Sequence, residues 1–185
     1  MLYKYIFTVT FYFLIAFANA QIKYFATKTG QTYFDAGTGI EDIKAINKST
    51  TSVIEPSTGR IEFSMNIKEF KFKRQLMEDH FNENYMESDK FPKSVFKGKF
   101  SNIENIDFNK DGTYAATVKG TMEIHGVKKE IETTGTIKVS DKTITASASF
   151  DVKLEDYKVD VPSIVGIKIS EKAKIKVNCT YTPYN

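Results

Sequence analysis

With 26 basic and 23 acidic side chains dispersed over 185 residues, the chain has a formal net charge of only +3. That excludes the concentrated basic face that a nucleic-acid surface needs. Its single cysteine, Cys179, excludes an intrachain disulfide, so 15 Phe and 10 Tyr, with no Trp, must supply much of the core.

The first segment, Met1 to Ala20, carries Lys4, then an apolar run from Tyr5 to Phe17, then the small-x-small sequence Ala18-Asn19-Ala20. This reads as a secretory signal peptide, too short and wrongly flanked to span a membrane. Residues 21–185 are then expected to form one domain with no further membrane-spanning segment, exported to a periplasmic or extracellular space. Strands are expected at Ile22 to Thr27 and Thr32 to Ala36, divided by Gly30, and a weaker, partly helical element at Ile43 to Ile54. Glu55 to Gly59 is a turn cluster. Ile61, Phe63, Met65 and Ile67 alternate with polar residues and face inward. The apolar parity changes at Phe70 and Phe72, which implies a bulge or strand end.

A helix is expected from about Lys73 to Tyr85. Met77, Phe81 and Tyr85 recur every four residues with Leu76 beside them, while Glu78, Asp79, Asn82 and Glu83 lie opposite. Phe91-Pro92 stops it, because the residue before proline is driven to extended geometry. Phe96, Gly98 and Phe100 then share one strand face. Asn109 to Gly112 reads as a hairpin turn. Beyond it, Tyr114, Ala116, Val118, Gly120, Met122 and Ile124 face one way, as do Ile131, Thr133, Gly135, Ile137 and Val139 on the next strand. Ile144, Ala146, Ala148, Phe150, Val152 and Leu154 follow. After an irregular stretch from Glu155 to Gly166, the last strand turns Ala173, Ile175, Val177, Cys179 and Tyr181 inward.

Successive strands, each with one apolar face, form an antiparallel sheet that must close or stack. Inward glycines at positions 98, 120 and 135 favour closure, because they permit sharp bends. The expected fold is therefore all-β: an antiparallel, closed or nearly closed barrel of about eight strands, with one amphipathic helix over an end.

The motifs His80-Phe81 with Tyr85, Phe91-Pro92, Phe96-Lys97-Gly98 and Gly120-Thr121-Met122-Glu123-Ile124-His125-Gly126-Val127 resemble the YceI-like family over nearly the whole mature chain. The resemblance implies a secreted, lipocalin-like barrel that binds polyisoprenoids and related lipids. Inward parity independently nominates a lipid path past Phe96, Phe100, Val118, Met122, Phe150 and Val177, beneath a helix bearing Met77 and Phe81. Small inward residues such as Ala116, Ala146 and Ala148 leave room, or else only fit the barrel's taper. Burying roughly 400 Å² of apolar ligand gains about 10 kcal/mol, against an association cost of about 4–15 kcal/mol. A long apolar or amphiphilic chain is thus a better ligand than a small molecule: a polyisoprenoid, an isoprenoid quinone or a fatty-acyl chain.

Catalytic signals are weak. His80 and Glu83 are a lone i,i+3 pair, and His125, read as a hairpin-end residue, is a third ligand only if folding brings it close. No serine has a nucleophile-elbow context. Cys179 has inward parity and no basic neighbour on its face, the pattern of an inert thiol. No catalytic residue, metal or cofactor is expected. The expectation is a non-catalytic carrier or sequestering protein. Its rivals are a filled structural or partner-binding barrel, with a homodimer left open, and an enzyme at the barrel mouth.

Overall fold

The computed structural model describes residues 24–38, 41–160 and 169–184. The signal-peptide expectation, Ile22, Pro162 and Gly166 lie outside them. Nine strands are described: β1 Tyr24–Asp35, β2 Lys44–Glu55, β3 Arg60–Asn66, β4 Lys71–Phe72, β5 Lys93–Phe100, β6 Gly112–Ile124, β7 Val127–Ser140, β8 Thr143–Lys153 and β9 Lys172–Tyr184. Their order is β1-β9-β8-β7-β6-β5-β3-β2, and β1 pairs with β2 to close the ring. Among the described residues this is a closed eight-stranded antiparallel barrel, with short β4 appended to β2. Closure removes the exposed strand edges that an open sheet leaves.

Two tight turns set the register of the β6–β7 and β7–β8 hairpins. His125 and Gly126 have φ of +51° and +72°, and Asp141 and Lys142 have +48° and +62°. Positive φ at both central residues is the type I′ geometry that matches strand twist. The first turn pairs Ile124 with Val127, and the second pairs Ser140 with Thr143.

Several expectations need correction. Residues 24–35 form one strand, with register shifts either side of Gly30 rather than a break. A Cβ at Gly30 would sit 2.4 Å from Cys179 Sγ, so the missing side chain lets the thiol pack there. Residues 44–55 are wholly strand, with no helical part; pairing on both sides overrides a weak local pattern. Asn109 to Gly112 is not a tight hairpin, because β5 ends at Phe100 and an eleven-residue connection follows. Within it, a 3₁₀ turn at Ile103–Asn105 leads Ile106 and Phe108 into the barrel's lower end. There they pack with Phe25, Phe100 and Tyr181 and close that end with apolar side chains.

The helix is shorter than expected. α1 spans Gln75–His80, and Phe81–Tyr85 continues it as a π-helical turn. Arg74 occupies the N-cap position without a side-chain cap, so the first turn has no local stabiliser. The assignment of its faces also changes. Leu76 is 64% exposed, while Glu78 is buried. Glu78 accepts hydrogen bonds from Lys71 Nζ at 2.6 Å and from the Phe72 amide at 3.3 Å. That contact raises the Lys71 pKa above its ordinary value. A buried carboxylate needs such partners, and β4 supplies them, a neighbour that helical periodicity does not reveal.

Cys179 is fully buried, and burial is the main reason its thiol is pushed up to about 11. Because thiolate is the reactive species, the native protein is expected to resist Ellman's reagent at pH 8 and to react only when denaturant unfolds the barrel. Stoichiometric labelling under native conditions contradicts this placement.

Candidate functional site

Inside the barrel, reaching lower-core residues such as Ile61, Phe100 and Ile137, lies a void of about 150 Å³. Strand parity delivers its walls: β3 contributes Phe63 and Met65, β6 contributes Val118 and Met122, and β8 contributes Ala148 and Phe150. The polar groups that reach it are hydroxyls such as Thr32, Ser94 and Thr133. Thr32 shares a 2.9 Å hydrogen bond with Thr50, and Ser94 donates to the Glu123 carbonyl at 2.9 Å, so these two are already satisfied. Among the described residues no charged side chain lines this void. Such a space accepts hydrocarbon and penalises an ion.

A second void of about 320 Å³ lies against α1 and is lined by Ile43, Phe72, Leu76, Met77, His80 and Tyr85, among others. Its wall includes Glu41 and Arg74, which form an ion pair with each other. The two voids share Phe34, Phe81, Met86, Leu154 and Val159 as lining. Phe81 is the centre of this partition. Its ring lies 5.5 Å from Phe34, 5.7 Å from Phe70 and 4.9 Å from Phe72, all tilted or edge-on. Such edge contacts each add about 0.5–1.5 kcal/mol beyond area burial.

Of the eight residues nominated from parity, Phe96, Phe100, Val118, Met122, Phe150, Val177 and Phe81 line the inner void, and Met77 lines the outer one. Phe96 and Phe100 also belong to the packed lower core, where each is 5% exposed. Sequence reasoning missed Phe34 and Met86. Phe34 follows the irregularity at Gly30, where parity counting breaks. Met86 sits five residues after Phe81 and donates its amide to the Phe81 carbonyl at 2.9 Å. A regular helix would bring Tyr85 under Phe81; the π register brings Met86 instead.

His125 is a hairpin residue, as expected, but its ring is tucked inward. Nε2 lies 2.9 Å from Glu87 Oε2 and Nδ1 lies 3.2 Å from the Tyr157 carbonyl oxygen. The Phe91 ring abuts it edge-on at 4.5 Å. His125 thus ties the end of the helical segment to the β6–β7 hairpin and to the 3₁₀ turn Leu154–Tyr157. His80 lines the outer void, away from this network. Among the described residues, no three His, Cys, Asp or Glu side chains converge in a metal-binding group. No described helix is long and apolar enough to cross a membrane.

The barrel is similar to several solved structures at low identity. A polyisoprenoid binding domain from Saccharophagus degradans aligns with TM-score 0.68 and 12% identity, covering 89% of this chain and 100% of that one. BcnA from Burkholderia cenocepacia aligns with TM-score 0.67 and 11% identity, covering 83% and 96%. The YCEI protein of Campylobacter jejuni aligns with TM-score 0.62 and 19% identity, covering 80% and 90%. No curated protein sequence matches the chain. A family model described as the YceI-like domain matches residues 16–181, nearly the whole length. The chain therefore belongs to the YceI-like family.

Proposed function

We propose that this protein binds and carries, or sequesters, an apolar or amphiphilic lipid, without catalysing a reaction on it. The observation that carries this reading is the uncharged inner void, walled by β3, β6, β8 and β9 and continued by a second void under α1. A void of about 150 Å³ alone suits something the size of benzene. With the second, the space reaches the roughly 300–1,000 Å³ typical of small-molecule sites. The ligand is a polyisoprenoid, an isoprenoid quinone or a fatty-acyl chain; the polyisoprenoid binding domain among the similar structures supports the first. Residues 1–20 act as a cleaved signal peptide, 21–185 form one exported domain, and the carrier works in the periplasm or outside the cell.

The packed lower end favours a second reading, a filled barrel that serves a structural or partner-binding role. Native mass spectrometry after lipid-preserving purification separates the two. A co-purifying apolar mass at up to one equivalent is expected. Bare protein from several expression hosts, and no uptake of added geranylgeraniol, contradicts the carrier.

A further inference from the structure

Phe81 occupies a position that a passive wall does not require. It lines both voids, as do Phe34, Met86, Leu154 and Val159, but it alone of these five comes from the helical segment with an aromatic ring, held by tilted or edge-on contacts to Phe34 on β1, Phe72 on β4 and Phe70 just before β4. Its backbone belongs to a π-helical turn, where the i→i+5 register loosens the helix and re-aims side chains. Ile106 and Phe108 pack with Phe25 and Tyr181 in the other buried cluster, whereas Phe81 faces the inner void, so the approach along the barrel axis is from the side of Phe81.

We propose that the lipid site consists of two compartments in series and that Phe81 is the gate between them, the residue that determines which chain lengths are retained. This rests on the lipid-binding reading above. A short apolar chain fills the outer compartment with the ring in place. A long chain must displace the ring from its three aromatic neighbours to reach the space bounded by Met122, Phe150 and Val177. The site thereby selects for ligands long enough to gain from the inner compartment what displacing the ring costs. The wall of the outer compartment holds its charges as the Glu41–Arg74 pair, so the end of the ligand left there is one that does not compete for either ion.

The test is stopped-flow association of the full chain with a series of primary alcohols from hexanol to geranylgeraniol, read by displacement of N-phenyl-1-naphthylamine. The Phe81→Ala variant removes the gate. It is expected to accelerate geranylgeraniol entry about tenfold, as loss of the three ring contacts implies, and to leave hexanol within about twofold. Phe81→Leu, which preserves packing better, is expected to fall between the two and serves where Phe81→Ala fails to fold. Equal acceleration of short and long alcohols, or none, in the folded variants overturns the gate while leaving the carrier intact. Displacement by no alcohol of any length from the unmodified protein overturns the lipid-binding reading itself, and the gate with it.

Discussion

Ala148→Phe is expected to weaken lipid binding strongly while the barrel remains folded. Ala148 faces the inner void and lies opposite Gly135 on β7 and Val177 on β9. Gly135 offers no side chain to collide with, so an aromatic ring at 148 extends into the empty space. It then occupies the volume a lipid tail would take. Losing roughly 100 Å² of ligand burial at about 25 cal/mol per Å² removes about 2.5 kcal/mol, or roughly sixtyfold in affinity. Filling a void offsets much of the usual overpacking strain, so the change in stability stays below about 2 kcal/mol. Isothermal titration with geranylgeraniol, beside thermal unfolding, reads both quantities. A folded variant with unchanged affinity places the lipid elsewhere.

Gly120→Val is expected to have the largest effect on stability. Gly120 pairs directly with Gly98 across β5 and β6. A Cβ at 120 would lie 2.2 Å from the Lys97 carbonyl oxygen and 2.4 Å from Gly98 Cα. Both obstacles are backbone, so no side-chain rotation relieves them and the two strands must separate. A cost of about 3 kcal/mol or more follows. For a chain of this size that lowers Tm by roughly 6–12 °C. Circular dichroism melting measures it; a Tm within about 2 °C of the parent contradicts the close strand approach.

These two variants mark what the residues declare locally and what they do not. Period-two alternation named the walls of the inner void because it reports which way a side chain points on a strand. Val118, Met122, Phe150 and Val177 were legible for that reason alone. Closeness between strands is a different quantity. Glycine at 98 and 120 was read as a permit for bending, but the structure shows the two residues letting backbones approach. Closure of the lower end was not legible either, since Ile106 and Phe108 lie in a connection without periodicity. The helix was found, but not its change to π register, which puts Met86 with Phe81 on the inner void and leaves Tyr85 on the outer one alone. Nor was the burial of Glu78 visible, because its partner Lys71 comes from a two-residue strand. The family motif at His80-Phe81 did not indicate that Phe81 lines two voids.

The central claim is that a lipid tail enters the upper barrel, and a halogen-labelled chain locates it. Crystals of the full chain soaked with 12-bromododecanol are expected to give an anomalous bromine peak in contact with Met122, Phe150 and Val177. Bromine found only on the outer surface, with the inner void still empty, contradicts the account.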